Sequence, residues 1–111
     1  MGKKTRKQRP LNKRELLIAS GHILPPPQLL QSINIMAVIY TRGQPHQRPL
    51  RLTVLSVLTG RELKTSLELT TSEIETILDK AYSDWRGNTG HWTVRPAFKR
   101  QIEGLVAGLT S

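Results

Sequence analysis

Residues 33–42 read INIMAVIYTR, and this stretch decides which fold class the sequence predicts. Its apolar residues occupy both parities: Ile33, Ile35, Ala37 and Ile39 on one side, and Met36, Val38 and Tyr40 on the other. β-branched and aromatic residues favour strands, and apolar residues on both faces are typical of a strand buried between two layers. The stretch therefore predicts a buried β-strand.

Two more strands are predicted downstream of a proline-containing loop, GQPHQRP at 43–49. Leu50, Leu52 and Val54 alternate, and Leu55, Val57 and Leu58 then fill the other parity. The Thr59-Gly60 pair that follows is a signal for a tight hairpin turn. Beyond that turn two sets of residues alternate: Leu63, Thr65, Leu67 and Leu69 on one face, and Glu62, Lys64, Ser66 and Glu68 on the other. We therefore expect three antiparallel strands, the third of them half exposed.

Before the sheet, the sequence predicts one short helix and an extended link. Asn12 can cap a helix whose third residue is Glu15, and Gly21 is a natural stop. The following LPPPQLLQS predicts an extended proline stretch, with at most a single turn at 27–31.

After the sheet, the sequence predicts two amphipathic helices. One begins at Thr71 or Ser72, with Ser72 and Glu75 as its capping box. Its apolar face follows the helical period: Ile74, Ile77, Leu78, Ala81, Tyr82 and Trp85. HWTVR at 91–95 predicts a short strand or extended link, and Pro96 begins a last helix. That helix repeats the apolar spacing through Phe98, Ile102, Leu105, Val106 and Leu109.

The fold class predicted from these elements is α+β. It is a three-stranded antiparallel sheet, with a short fourth strand as an option, covered by two to three helices. Residues 1–10 lack apolar residues beyond Met1 and predict a basic extended arm. Residues 11–111 predict a single small domain, as expected for a chain of 111 residues.

Positive charge is concentrated near the amino end. The chain has 17 Lys and Arg residues against 8 Asp and Glu residues, a net charge of +9. Residues 1–14 hold seven of these cations and no acidic residue, whereas residues 67–111 hold five cations against six acids. Uncompensated cations repel one another along a free chain, so this composition favours a polyanionic partner.

Several chemistries are excluded or disfavoured by the residues. The chain has no cysteine, which removes disulfides and thiolate sites and suits a reducing compartment. His22, His46 and His91 are isolated in sequence, as expected of surface histidines rather than metal ligands. Glu62-Leu63-Lys64 resembles the end of a restriction-type nuclease site, but Glu15 is the only acidic residue before it. We therefore predict no enzyme, no cofactor and no metal.

Two further features have a packing and a binding interpretation. Trp85 and Trp92 bracket RGNTGH and would suit base stacking, but their positions favour packing in the core. Gly104 and Gly108, four residues apart on the last helix, permit close approach of a helix or a dimer contact, and packing within the domain is the favoured use.

The predicted order of elements over 33–86 is similar to that of integrase arm-binding and plant AP2-type domains, and also to double-stranded RNA-binding domains. The first two place cations and aromatic rings on an outward sheet face, whereas the exposed face here mixes Glu62, Lys64, Ser66 and Glu68. Double-stranded RNA-binding domains place lysines at the start of their last helix, whereas the corresponding stretch here reads TTSEIE. Acidic residues at that position repel phosphate. The similarity is confined to element order, and no family is assigned.

The sequence thus predicts a non-enzymatic accessory or architectural protein, of the kind that phages and mobile elements encode, that binds DNA or RNA through its backbone phosphates. Ten cations are the candidate site residues: Lys3, Lys4, Arg6, Lys7, Arg9, Lys13, Arg14, Arg42, Arg48 and Arg51. The alternative is a structural subunit of a virion or ribonucleoprotein particle, with protein subunits as partners and a homo-oligomer as an option. We expect a cytoplasmic protein, or one inside a virion, with no membrane partner.

Overall fold

The computed structural model describes residues 10–86 and 92–111, and its regular elements are helices. They are α1 (Lys13–Ala19), α2 (Pro27–Thr41), α3 (Gln47–Thr59), a 3₁₀ turn (Ser66–Glu68), α4 (Thr71–Ala81) and α5 (Pro96–Thr110). Extended pairing in these residues is limited to one antiparallel bridge, between Tyr82 and Val94. The predicted α+β class with a three-stranded antiparallel sheet is therefore wrong, and the described chain is helical.

The first predicted strand spans residues 33–42. Residues 33–41 of it lie in α2, which ends at Thr41. Its buried residues follow the helical period: Ile33, Met36, Ala37 and Thr41. Ile35 and Ile39 lie on the other side of the helix and are 50% and 53% exposed. The preference of β-branched residues for strands is worth less than about 1 kcal/mol each, so burial of one helical face outweighs it. Pro27 occupies the first helical turn, where proline fits well, and so begins the helix.

The second and third predicted strands fail for local reasons. Residues 50–58 belong to α3, whose first turn accommodates Pro49 because backbone N–H groups there have no intrahelical partner. Gly60, at φ +78°, closes α3 by donating its N–H to the Ser56 carbonyl at 2.9 Å, and does not turn a hairpin. Residues 62–69 form an irregular connection that contains the 3₁₀ turn.

The predicted first and last helices are confirmed. α1 has the expected capping box between Asn12 and Glu15, and α5 begins at Pro96. α4 is present, but its capping box joins Thr70 to Glu73, so the predicted Ser72 and Glu75 box is wrong.

One hydrophobic core joins the elements, and α2 lies at its centre. α2 packs against α3, α4 and α5, and its Ile33 and Met36 are fully buried. α4 ends at Ala81, before Trp85, yet the rings of Trp85 and Trp92 both pack against the core as predicted. The Tyr82 and Trp92 rings meet edge to face, 5.1 Å apart.

The domains with a similar predicted element order are built around a sheet, so that similarity does not extend to this helical fold. Among the helices that the structure describes, none is both long and apolar enough to cross a bilayer.

A charged fork ties the end of α3 to the start of α4. The Arg61 guanidinium donates to both carboxylate oxygens of Glu73, from Nε at 2.9 Å and from Nη2 at 2.8 Å. Nη2 also donates to the Glu68 carbonyl at 2.7 Å, and Glu73 accepts the Thr70 N–H at 2.9 Å. The hydrogen bond from Arg61 is the largest cause that lowers the pKa of Glu73 to about 2, from an ordinary value of 4.5.

The Arg61–Glu73 fork predicts acid sensitivity. Because the folded-state pKa of Glu73 is lowered, the fork contributes stability above pH 4.5 and loses it as the pH falls toward 2. We expect Glu73→Gln to reduce the unfolding free energy at pH 7 by about 1 kcal/mol, and to flatten its dependence on pH below 4.5. Thermal melts followed by circular dichroism at several pH values measure both effects.

Glu62→Gln is the matched control, because Glu62 is exposed and makes no hydrogen bond within the described residues. It should keep the acid sensitivity of the unchanged protein. Equal flattening by both variants would contradict the role given to the fork.

The glycine pair of α5 is open. Apart from its chain neighbours and the nearby backbone of α5 itself, a methyl group added at Gly104 or Gly108 would meet no described atom within 4 Å. The prediction that another part of the domain packs closely against these glycines is therefore wrong for the described residues.

Gly104→Ala should stabilise the protein. Alanine reduces the freedom of the unfolded chain and fits a helix better than glycine, so we expect a gain of about 0.5–1 kcal/mol in unfolding free energy. Gly60→Ala, at φ +78°, should instead lose about 1 kcal/mol. Denaturant titration measures both variants, and destabilisation by Gly104→Ala would show that this face of α5 is occupied.

Candidate nucleic-acid interface

Four cations from separate parts of the chain line one open cleft between α1, α3 and the α3–α4 connection. They are Lys13, Arg48, Arg51 and Lys64, and we call the cavity between them the basic cleft. It has a volume of about 660 Å³ and is also lined by polar and apolar side chains, among them Asn34 and Leu55. An open, positively charged cavity is suited to binding anions.

α3 contributes two of the four cations. Arg48 and Arg51 are three residues apart in the helix and so lie on one side of it. They belong to its first two turns, where the helix dipole adds positive potential. The residue before the helix, His46, makes no capping hydrogen bond with its side chain.

Lys13 reaches the cleft because α1 is held in place. A seven-residue helix is not stable alone, and α1 buries none of its residues. It is supported by its capping box, by packing on the 3₁₀ turn, and by the hydrogen bond between His22 Nε2 and the Leu67 carbonyl at 2.9 Å. These contacts bring the start of α1 to the rim of the cleft.

Lys64 is positioned by the connection between α3 and α4. Its backbone N–H donates to the Glu68 carboxylate at 2.7 Å, while the Glu68 carbonyl accepts from Arg61. Thr65 Oγ1 accepts the Leu67 N–H at 3.4 Å and caps the 3₁₀ turn. The same small network therefore supports both Lys64 and the turn on which α1 packs.

Among residues 10–86 and 92–111, the cations of the cleft have no acidic partners. The ion pairs among the described residues join Arg61 to Glu73, and Arg86 to Glu75 and Asp79. No carboxylate lines the basic cleft. Arg51 is half-buried, and its Nε is covered by protein while no described residue accepts a hydrogen bond from it. Within the described residues, the four cleft cations thus form no ion pair, and the carboxylate nearest to them in the network, that of Glu68, binds the Lys64 backbone rather than its ammonium group.

The structure brings together three of the ten predicted site residues: Lys13, Arg48 and Arg51. Arg14 lines a neighbouring groove of about 240 Å³, and Asn34 lies between this groove and the cleft. Arg42 follows the end of α2 and does not line the cleft. The five cations of the predicted arm lie outside the described residues: Lys3, Lys4, Arg6, Lys7 and Arg9.

Sequence reasoning missed Lys64 and Asn34. The strand interpretation put Lys64 on a mixed, solvated face with Glu62 and Glu68, and it buried the stretch that contains Asn34. A helical period over 27–41 would have put Asn34 and the half-buried Val38, which are four residues apart, on one side of the helix. No local signal marks Lys64, because its position depends on the Arg61 network.

The histidines differ in their surroundings. His22 is half-buried and hydrogen-bonded to the Leu67 carbonyl, whereas His46 is exposed. His91 lies outside the described residues. Within 10–86 and 92–111, no group of three or more histidine and acidic side chains is arranged to hold a metal ion.

His22→Ala tests how α1 is held. Loss of a hydrogen bond worth about 1 kcal/mol should speed amide hydrogen exchange in α1 about fivefold, with little change in α4. His46→Asn is the control, since asparagine tolerates the left-handed conformation of residue 46, and it should leave α1 exchange unchanged. Unaltered exchange in His22→Ala would show that α1 is held by other contacts.

The chain matches no protein-family model, no curated protein and no solved structure in the three comparisons made.

Proposed function

We propose that this protein is a non-enzymatic, nucleic-acid-binding accessory or architectural factor that holds the phosphate backbone with its basic cleft and its N-terminal arm. One observation carries the proposal: four cations from three segments line a single cleft that no carboxylate lines. Phosphate groups of DNA or RNA supply the closely spaced negative charges that such a cleft suits.

The arm and the cleft are neighbours along the chain. Lys13 lines the cleft, and residue 10 is three residues before it. Because an extended chain spans at most about 3.5 Å per residue, Pro10, the last residue of the arm, lies within about 11 Å of Lys13. One nucleic-acid strand can therefore meet the cations of both.

The chemistry of the cleft favours binding that is independent of base sequence. Lysine and arginine contacts to phosphate position a nucleic acid but carry no base information. The more acidic end of the chain, residues 67–111, lies outside the lining of the cleft, so the positive potential is directional. The alternative of a structural subunit in a virion or ribonucleoprotein particle stays a prediction, since the same cations would serve packaged nucleic acid.

The dependence of affinity on salt tests the proposal. Each phosphate of a DNA duplex that is neutralised adds about 0.9 to the magnitude of the slope of log affinity against log salt. With one phosphate for each of the four cleft cations and the five arm cations, we expect a slope of about −8 for the full chain. A chain beginning at Leu11 should have a slope of about −4, because it keeps only the four cations of the cleft. Fluorescence anisotropy with mixed-sequence oligonucleotides at several salt concentrations gives these values.

A double variant separates the cleft from the arm. Lys13→Met with Lys64→Met should reduce the magnitude of the slope by about two. Lys99→Met with Arg100→Met removes the same charge from exposed positions on α5 and should change the slope little. Equal effects of the two double variants would show that net charge alone binds the nucleic acid, and absence of salt-dependent binding would refute the function.

A further inference from the structure

The four cations of the basic cleft lie at different depths. Lys13, Arg48 and Lys64 are exposed, whereas Arg51 is half-buried. The Nε of Arg51 is fully covered, and no hydrogen bond of this side chain is made to the described residues. The cleft therefore has three cations at its rim and one recessed cation.

The recessed position of Arg51 is unfavourable for the folded protein alone. A covered N–H without an acceptor has lost its hydrogen bonds to water and gained none. Its neighbours in the cleft include Leu52 and Leu55, which offer no compensation, and no carboxylate lines the cavity. A guanidinium that is partly screened from water attracts an anion more strongly than an exposed one does. The terminal nitrogens of the Arg51 guanidinium are not among the covered atoms, and they make no hydrogen bond to the described residues, so they are the groups that an anion in the cleft can reach.

The shape of the cleft limits which nucleic acid can reach Arg51. The cavity has a volume of about 660 Å³. A duplex presents a broad surface, with grooves about 12 and 6 Å wide, and meets a cavity of this size only at its rim. The sugar–phosphate chain of a single strand is narrow and can enter it.

The remaining lining residues suit a strand without a preferred sequence. No aromatic ring is among them, so the cleft offers no stacking platform for bases. Asn34, Thr65 and Ser66 provide polar groups for the sugar or the phosphate.

We infer that the ligand of the basic cleft is single-stranded nucleic acid, bound with a backbone phosphate on the recessed Arg51, between the rim cations. This inference rests on the proposed function and specifies its substrate class. Duplexes meet the rim cations and the arm but not Arg51.

The test compares three variants that each remove one positive charge from the full chain. Arg51→Met removes the recessed cation, Arg48→Met a rim cation, and Arg100→Met an exposed cation of α5. Anisotropy is measured with single strands of about 12 nucleotides, as DNA and as RNA, and with the corresponding duplexes.

We expect the unchanged protein to bind single strands more tightly than duplexes. Arg51→Met should weaken single-strand binding about tenfold and duplex binding less than about twofold, as for the loss of one charge-assisted contact. Arg48→Met should weaken both, and Arg100→Met neither.

Two measurements keep the result interpretable. Thermal melting should show Arg51→Met to be as stable as the unchanged protein or more so, because a covered donor without an acceptor is removed. In the unchanged protein, the Arg51 Nε–H resonance in ¹⁵N spectra should shift on addition of a single strand and not of a duplex. This second measurement applies even if the variant does not fold.

The outcomes separate the two proposals. Equal loss of single-strand and duplex binding in Arg51→Met, no preference for single strands, or an Nε–H resonance that responds equally to both would overturn this inference and leave the proposed function in place. Absence of salt-dependent binding to every oligonucleotide would refute both.

Discussion

The fork between Arg61 and Glu73 is the interaction on which the arrangement of the site depends. It joins the end of α3 to the start of α4, and the same guanidinium holds the Glu68 carbonyl. The Glu68 carboxylate in turn holds the backbone of Lys64. The 3₁₀ turn fixed in this way is the surface on which α1 packs. Two walls of the basic cleft thus depend on one charged side chain outside it.

The basic cleft combines one helix of the core with two segments that have little stability of their own. α1 buries no residue and the α3–α4 connection is irregular, whereas α3, which carries Arg48 and Arg51, buries Leu50, Val54 and Leu55 in the core. Binding surfaces often combine a stable scaffold with segments that few buried contacts hold in place. The repulsion among four unpaired cations is tolerable here because three of them are exposed to water, where charges interact weakly.

Local signals predicted the helices whose ends are marked by capping residues. Asn12 with Glu15 indicated α1, Pro96 indicated α5, and the regular apolar spacing indicated α4, although its cap lies at Thr70. The two central helices were missed because an apolar run rich in β-branched residues satisfies a strand and a buried helix equally well. In α2, Ile33 and Met36 are buried whereas Ile35 is exposed. This difference arises from packing against other helices, so the residues of α2 alone do not predict it.

The amino-acid sequence by itself determined the distribution of charge, the absence of cysteine chemistry, and the helix ends that side chains cap locally. These properties depend on residue type and on neighbours within three or four positions. Only the tertiary structure decided that residues 33–41 are helical, that Lys64 joins Lys13, Arg48 and Arg51, and that Arg42 lies apart. The physical reason is that burial against distant helices outweighs strand propensity, and that cations far apart in sequence become one site only when the core brings their helices together.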